Sequence, residues 1–581
     1  MSHGAKDKTL IPEAGGHRSL LGRIAGILAL GLVVGTVGSL LAIVVVDAIF
    51  WLGDQLFIQR SAGNGRIAWV LLLAPAAGGL AVGLLVRGMS SNRPHGISDI
   101  VFAVQTGESR LPWRDGVVNT LAAVVGIGSG ASAGHYGPLA SMGAVLGSNT
   151  GKWLRYDTSL GIGCGVAAAI STAFSAPIAA VLFAHEVVLR HYSLRAFAPI
   201  TVASSTGFFI EHYVFGRRPL FDIVAERSPY APEFLAFVLI GIIGALVAVV
   251  FMRTVLACAA LATRSGIPSW IRPAVAGLGV GLMAQWVPDV LGLGKHVMVD
   301  IFSGQIPVAT DLVVLLVCKI LATALCIGFG FAGGVFSPSL FIGVLTGALL
   351  GIGAGMLMAD DISDPAFYAI CGMAAVASPV IGGPLTIIII VFELTHNYEL
   401  TTSVMVSVVF SNVVAYRLFG RSLFDKQLAL SGCDLSLGRD KLVLQRTRIS
   451  DHVTTDAVTI HGENNLDDAR RAMIAADRQE CYILDELGRY LGKIRLFDVL
   501  QREHRFDLAS ETVKDHVGRE HLQFRHDQSV WDAVEQMKDF VGESIPIVDQ
   551  RGYFIGIVYE ATLITAYLST IATIRAEQHA A

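Results

Sequence analysis

An apolar stretch at residues 126–147 reads GIGSGASAGHYGPLASMGAVLG and is interrupted in its middle by HYGP. The glycines and alanines on both sides allow helices to approach closely inside a membrane. Gly134 and Gly137 permit a tight turn, and Pro138 suits the first position of a helix. The sequence therefore predicts a helix that begins at Pro138 and points free backbone N–H groups into protein at membrane depth. Such an arrangement is suited to holding an anion.

The composition is that of a polytopic membrane protein. Of the 581 residues, 53% are hydrophobic and only 15% are charged, which is too apolar for an ordinary soluble protein. The formal net charge of -4 gives no reason to expect nucleic acid as a partner. The seven cysteines lack metal-ligand spacing, so no metal site is predicted. In the tail at residues 1–18, Lys6, Lys8 and Arg18 precede the first apolar run and predict a cytoplasmic N-terminus.

The first apolar runs include both long and short segments. Residues 24–46 and 67–86 contain no charged residue and are long enough to cross a hydrocarbon core of about 30 Å. The next segment, PHGISDIVFAVQTG, is too short to cross. It predicts a half-helix whose N-terminus points inward and whose cap is Ser98 or Asp99.

The membrane region divides into two halves with a similar layout, at residues 19–210 and 232–418. Each half contains long apolar runs and a glycine-containing break before a proline, which is Pro138 in the first half and Pro338 in the second. We therefore expect two inverted repeats that meet at a site near the membrane midplane. The predicted membrane domain is all-α, contains broken helices and covers residues 19–430.

Beyond the membrane domain, charged residues become frequent and long apolar runs end. A linker at residues 431–448 leads into an α/β region that we expect to be cytoplasmic. This region contains two copies of one unit, at residues 449–507 and 513–570. Each copy has a helical pattern followed by two alternating strand patterns around a turn. A short tail at residues 571–581 ends the chain.

Taken together, these segments resemble the CLC family of chloride channels and chloride/proton antiporters, and the C-terminal region resembles a pair of CBS domains. GHYGP lies where the family has G-x-E-G-P, and GGVFSPSLFIG matches its G-x-F-x-P segment. FSAPIAAVLFAHE and PLTIIIIVFELTHNYEL match two further helical segments. The resemblance implies a homodimer surrounded by membrane lipid, with one chloride pathway in each subunit. It implies no enzyme activity and no cofactor, and we expect the membrane to be a bacterial inner membrane.

The resemblance also assigns the anion pathway to four short segments, where helix N-termini converge on the permeating chloride. They contribute His95, Gly96 and Ile97; Gly134, His135, Tyr136, Gly137 and Pro138; Gly334, Val335 and Phe336; and Phe424. For His135, a structural or interfacial role is the alternative.

Three of the matched positions depart from the family pattern. Tyr136 stands where most members have a glutamate that competes with chloride and leaves when protonated. A phenol, whose unperturbed pKa is about 10, stays neutral and cannot readily cycle a proton. Val187, one residue beyond Glu186, stands where the antiporters have a second glutamate that relays protons. Phe424 replaces a tyrosine that usually contacts the central chloride. We therefore expect a passive chloride channel that is not coupled to protons.

Several alternatives stay open at this point. Tyr136 could pack in the helix bundle and only fill the space of the lost glutamate. His95 stands at the serine position of the family loop G-S-G-I-P, where it could bind the anion, cap a helix or simply pack. A proton-coupled antiporter could use another route, such as His95 or His135. A sensor with a closed pore could signal through the CBS pair.

CBS pairs often bind adenine nucleotides, and their ribose-binding pattern is a glycine, a hydroxyl residue and an aspartate. The corresponding residues are Gly492, Arg495 and Asp498 in the first copy and Gly556, Tyr559 and Thr562 in the second. The first copy keeps only the acid, and the second keeps neither the small hydroxyl residue nor the acid. Asp498 is the one weak candidate for nucleotide binding, and a structural or dimerising role is favoured.

Overall fold

The computed structural model describes residues 20–57, 67–106, 111–217, 233–358, 363–433, 439–503, 507–517, 522–540 and 542–579. Two compact units divide the chain, Met1–Cys433 and Asp434–Ala580. The predicted tail at residues 1–18 lies outside the described residues. Of the predicted tail at residues 571–581, the structure describes residues 571–579, which form the end of a helix. In the described part of the first unit the regular structure is helical, and six helices are long and apolar enough to cross a membrane.

The first half of the membrane unit contains helices of very different length. They are α1 (Leu20–Phe57), α2 (Ile67–Val86), α3 (Ile97–Thr106), α4 (Trp113–Gly128), α5 (Tyr136–Leu154), α6 (Thr158–Phe174), α7 (Pro177–Phe183) and α8 (Leu194–Phe209). Helices α7 and α8 continue into π-helical turns at Ala184–Leu189 and Ile210–Val214. Helix α3 has ten residues and confirms the predicted half-helix.

The second half repeats this succession of helices. They are α9 (Phe234–Arg264), α10 (Arg272–Met283), α11 (Lys295–Phe302), α12 (Ala309–Gly328), α13 (Phe336–Met358), α14 (Pro365–Ile381), α15 (Pro384–Thr395) and α16 (Tyr398–Phe419), followed by α17 (Leu423–Leu430). A 3-10 turn at Pro288–Val290 precedes α11. The breaks α4–α5 and α12–α13 have the same length, since one runs from residue 128 to 136 and the other from 328 to 336. This correspondence agrees with the expected repeats.

Two predictions about helix starts were wrong in detail. Helices α5 and α13 begin at Tyr136 and Phe336, two residues before Pro138 and Pro338. Proline is tolerated there because the first N–H groups of a helix have no intrahelical acceptor. Helix α3 begins at Ile97, so neither Ser98 nor Asp99 is its N-cap residue. The Asp99 carboxylate instead accepts from the backbone N–H of Gly96 at 2.8 Å. This is the acidic half of a capping box.

Two intramembrane glutamates cap the half-helices α7 and α15 reciprocally. The carboxylate of Glu393, on α15, accepts from the backbone N–H groups of the second and third residues of α7 at 2.8 and 2.7 Å. Glu186, in the π-helical turn after α7, accepts from the N–H groups of Leu385 and Thr386 at 3.1 and 2.8 Å and from the Thr386 hydroxyl at 2.7 Å. Each carboxyl group therefore lies at the N-terminus of a half-helix in the other repeat, which is the positive end of that helix.

The second unit contains two small mixed sheets, each with its own apolar core. Its helices are α18 (Arg439–Arg446), α19 (Leu466–Ala475), α20 (Leu496–Glu503), α21 (Val530–Gln536) and α22 (Glu560–His579). Its strands are β1 (Val458–His461), β2 (Glu480–Leu484), β3 (Tyr490–Arg495), β4 (Phe524–Arg525), β5 (Ser544–Val548) and β6 (Phe554–Tyr559). In each sheet the middle strand pairs parallel with the first and antiparallel with the third. The equal topology agrees with two copies of one unit.

A buried polar network joins the two copies. The Lys493 ammonium contacts the Glu480 carboxylate at 2.7 Å and donates to the backbone carbonyl of Ser544 at 2.9 Å. The Ser544 hydroxyl donates to the same carboxylate at 2.5 Å. Burial raises the pKa of Tyr482 well above its ordinary range, so this phenol stays protonated and donates to Glu480 at 3.3 Å. The network therefore ties β2 and β3 of the first copy to β5 of the second.

Candidate anion pathway

A cavity of about 710 Å³ in the membrane unit brings together most of the predicted pathway residues. Seven of the twelve line it: His95, Gly96, Ile97, Gly137, Gly334, Val335 and Phe424. The other five, Gly134, His135, Tyr136, Pro138 and Phe336, belong to the same two breaks and do not line this cavity. Their places in the pathway stay predictions.

The first turns of four helices lie at this cavity. Ile97 begins α3, Gly137 is the second residue of α5, Val335 directly precedes α13, and Phe424 is the second residue of α17. The N-terminus of a helix carries free N–H groups and about half a positive charge from the helix dipole. Several N-termini at one cavity make its wall attractive to an anion without a buried cationic side chain.

The breaks between α4 and α5 and between α12 and α13 touch each other through glycine backbone. Gly134 and Gly334 exchange two N–H···O hydrogen bonds of 2.7 Å each. A Cβ atom on Gly134 would lie 2.9 Å from the Gly334 carbonyl oxygen, and one on Gly334 would lie 3.1 Å from the Gly137 nitrogen. The contact at Gly134 is closer than ordinary Cβ atoms approach, and the contact at Gly334 is tight. A side chain at either position therefore requires the backbone of the other repeat to shift.

Aromatic rings surround the first residue of α5. The buried Tyr136 ring stacks on Phe174 with a centroid distance of 3.8 Å and meets the edge of Phe336 at 5.3 Å. Phe336 also packs against Phe174 at 5.1 Å and Phe183 at 6.0 Å. We call Tyr136, Phe174, Phe183 and Phe336 the aromatic cluster. It joins both repeats directly beside Gly137, which lines the cavity.

His95 is held through its backbone by a residue that sequence reasoning missed. The Asn119 side chain on α4 accepts from the N–H of His95 and donates to its carbonyl, both at 3.0 Å. The His95 Nε2 atom lies 2.9 Å from the Ser91 hydroxyl oxygen. His95 thus lines the cavity with its backbone fixed by Asn119 and its Nε2 atom in contact with Ser91. A lone asparagine inside the apolar run VVNTLAAVV was the available signal, because polar groups at membrane depth are costly unless satisfied.

Three further buried polar residues lie near the breaks. Lys319 of α12 is fully buried and donates to the carbonyls of Val290 and Gly292 at 3.0 and 2.7 Å. Within the described residues, neither ring nitrogen of the buried His135 has a hydrogen-bond partner, and the same is true of the Ser337 hydroxyl. The His135 ring lies 4.2 Å from that of Tyr136. Sequence reasoning did not single out Lys319 or Ser337.

The two remaining candidate positions, Val187 and Asp498, are not among the residues that line this cavity. Val187 is buried in the π-helical turn after α7 and borders Gly383 at the start of α15. In the second unit, the Asp498 carboxylate is paired with Arg495, whose Nε lies 2.9 Å away. The only acid left from the ribose-binding pattern is thus engaged by the residue that replaces the hydroxyl.

Comparison with known proteins shows where the chain belongs. A family model described as "Voltage gated chloride channel" matches residues 78–416, which is more than half of the chain. The chain belongs to the voltage-gated chloride channel family. This confirms the resemblance found in the sequence and the all-helical membrane architecture. A model of the CBS domain matches residues 513–569, which contain the second copy.

Two bacterial members of the voltage-gated chloride channel family illustrate the relationship. A "Putative chloride channel protein ClcB-like" of Ralstonia nicotianae is 30% identical over 374 residues, covering 62% of this chain and 86% of the relative. The "Voltage-gated ClC-type chloride channel ClcB" of Escherichia coli is 27% identical over 420 residues, covering 71% of this chain and 99% of the relative.

Solved structures share the fold at lower identity. A slow cyanobacterial Cl−/H+ antiporter has a TM-score of 0.62 and 22% identity, covering 70% of this chain and 97% of that one. A eukaryotic CLC transporter has a TM-score of 0.61 and 18% identity, covering 93% of this chain and 98% of that one. The similar proteins thus include both a chloride channel and a Cl−/H+ antiporter.

Proposed function

We propose that the protein is a passive chloride channel without proton coupling. The observation that carries this proposal is the aromatic cluster. At the position where most of the family has an ionisable glutamate, Tyr136 packs against Phe174 and Phe336 instead. A neutral phenol neither competes with chloride as a carboxylate does nor exchanges a proton for chloride.

Chloride binding in this proposal relies on helix N-termini. An anion that enters the cavity loses part of its hydration, and the N–H groups at the starts of α3, α5 and α13 replace it. The Tyr136 hydroxyl supplies a further donor when the ring leaves its stack on Phe174. Binding of this kind is favourable enough to admit the ion and weak enough to release it, as conduction requires.

The absence of a proton relay at Val187 supports the same proposal. Val187 has no titratable group, and its neighbour Glu186 accepts three hydrogen bonds from the start of α15. These bonds engage both carboxylate oxygens, so Glu186 serves as the cap of α15.

A chloride/proton antiporter is the second candidate function, and His135 is the observation that favours it. Its imidazole is buried beside Tyr136, and neither nitrogen has a hydrogen-bond partner within the described residues. An unpartnered imidazole at this depth is a titratable group that a proton route could use.

The reversal potential separates the two candidates. The purified protein is reconstituted in liposomes with a chloride gradient and an opposing pH gradient. We expect the reversal potential to equal the chloride equilibrium potential and not to move when the pH gradient is removed. A displacement toward the proton equilibrium potential would refute the channel, and its loss in His135→Asn would assign the proton route to that residue.

We also propose a homodimer in a bacterial inner membrane with both termini in the cytoplasm. The similar proteins of Ralstonia nicotianae and Escherichia coli come from bacteria. Arg155 lies at the end of α5, Arg190 after the π-helical turn that follows α7, and Arg417 in the last turn of α16, and we place these helix ends in the cytoplasm. Basic residues concentrate on the cytoplasmic side of membrane proteins.

A further inference from the structure

A second cavity of the membrane unit, of about 490 Å³, shares no lining residue with the candidate anion pathway. It lies between the ends of α14 and α16 and the starts of α15 and α17. One part of its wall is apolar and includes Met252, Pro379 and Val413, whereas its rim carries Arg417 and Arg421. The cavity therefore combines an apolar surface with two cationic side chains, and the anion pathway uses neither.

The positive charge at this rim is not neutralised within the structure. Among the residues that the structure describes, no carboxylate lies within 4.0 Å of either arginine. Asp425 also lines the cavity, but its carboxylate is paired with Arg190 at 2.7 Å and accepts from the Ser422 hydroxyl at 2.9 Å. The rim thus keeps two exposed guanidinium groups that can bind an anion.

The position of the cavity along α16 places it at a membrane surface. Val413 and Tyr416 are exposed in the single chain, on a helix that is apolar enough to span the bilayer, so an acyl chain can contact them. Arg417 and Arg421 follow at the end of this helix, and Arg253 of α9 donates to the Leu418 carbonyl at 2.9 Å. By the positive-inside rule this basic end faces the cytoplasm.

We propose that this cavity binds the phosphate-bearing head group of an anionic phospholipid from the cytoplasmic leaflet. Arg417 and Arg421 hold the phosphate, because the planar guanidinium group donates paired hydrogen bonds to phosphate oxygens. The acyl chains follow the apolar surface of Val413 and Tyr416 toward the bilayer centre. Basic pockets between membrane helices on the cytoplasmic side bind such head groups. The site does not depend on whether chloride transport is coupled to protons.

Native mass spectrometry of the full-length protein measures this binding directly. Dioleoylphosphatidylglycerol or dioleoylphosphatidylcholine is added to the detergent-solubilised protein, and the bound fraction is titrated. We expect the native protein to prefer phosphatidylglycerol. The double substitution Arg417→Gln and Arg421→Gln should weaken phosphatidylglycerol binding about thirtyfold, since each basic residue at a membrane surface contributes about fivefold.

A matched control removes two charges elsewhere. Arg114→Gln and Arg195→Gln change exposed arginines in the first turns of α4 and α8, outside the cavity, and should retain the phosphatidylglycerol preference. Equal binding of the two lipids to the native protein would overturn the proposal, and so would an equal loss in the control. If the double variant fails to fold, the single Arg421→Gln, which lies beyond the end of α16, is tested instead and should lose about fivefold.

Inorganic phosphate distinguishes a lipid from a free anion. A phospholipid site should bind phosphatidylglycerol far more tightly than inorganic phosphate, because the acyl chains contact the apolar wall. If inorganic phosphate displaces phosphatidylglycerol at similar concentration, the cavity is a free-phosphate site and the lipid proposal is wrong.

Discussion

Replacing Tyr136 by glutamate should make chloride flux depend on pH. The carboxylate would start α5, where free N–H groups and the helix dipole favour a negative charge by about 0.3–2 kcal/mol. An ionised side chain there competes with chloride, and a protonated one does not. Flux should therefore be low at high pH and rise as pH falls through the pKa of the introduced glutamate. In a simple titration, flux one pH unit above that pKa is about one-tenth of its low-pH value.

The structure also sets the cost of losing the tyrosine ring. Tyr136 packs on Phe174 and Phe336, and each aromatic pair contributes about 0.5–1.5 kcal/mol beyond burial. Both Tyr136→Glu and Tyr136→Gln lose about 1–3 kcal/mol of this packing. The glutamine variant has nearly the same shape but no charge, so the difference between the two variants isolates the carboxylate.

Chloride efflux from liposomes, followed with a chloride electrode between pH 4 and pH 8, measures the effect. We expect Tyr136→Glu to show at least a tenfold rise toward low pH and Tyr136→Gln to show none. If the glutamate variant conducts equally across this range while remaining folded, residue 136 does not lie in the anion pathway.

Three further substitutions test the contacts that hold the fold. Gly334→Ala places a Cβ atom 3.1 Å from backbone at the crossing and should lower stability by about 1–3 kcal/mol, measured as the thermal midpoint in detergent. The control is Gly353→Ala, which has open space around it inside α13; it should not lower the midpoint, because alanine favours a helix more than glycine does. Glu393→Gln weakens charge-assisted bonds to the start of α7 and should cost about 1.5–3 kcal/mol; an unchanged midpoint would show that this cap is dispensable. Lys493→Met removes the ion-pair partner of the buried Glu480 and should destabilise the second unit by about 3–5 kcal/mol. The variant should then be cleaved in that unit at a lower protease concentration than the native protein. Unchanged protease resistance would contradict the buried ion pair.

Local sequence patterns predicted the helices better than their ends. Helix α2 has the predicted bounds, 67–86, because the apolar run itself ends there. Helix α1 extends to Phe57, well beyond the predicted end at residue 46. Asp47 and Asp54 interrupt the apolar run but not the helix, and Asp47 pairs with Arg217 at the end of the first half. A charged residue ends a membrane-spanning run without ending the backbone hydrogen bonding of the helix.

The candidate site was predicted only in part, because some of its residues have partners on other elements of the chain. The glycine and proline pattern located both breaks, and the departure at Tyr136 was evident from the motif alone. The role of Asn119 was missed because its partner, the backbone of His95, lies on a different element. The roles of Glu186 and Glu393 as caps likewise require knowledge of which helix starts beside each carboxylate.

By itself, the sequence determined that this chain is a membrane protein with two similar halves, broken helices and a separate α/β region, since hydropathy, glycine and proline act over a few residues. Only the tertiary structure decided what meets at the breaks. Gly134 binds Gly334, and Tyr136 packs on Phe174 and Phe336, although these partners lie up to 200 residues apart. Contacts at that separation follow from the packing of the two repeats against each other, which no local pattern encodes.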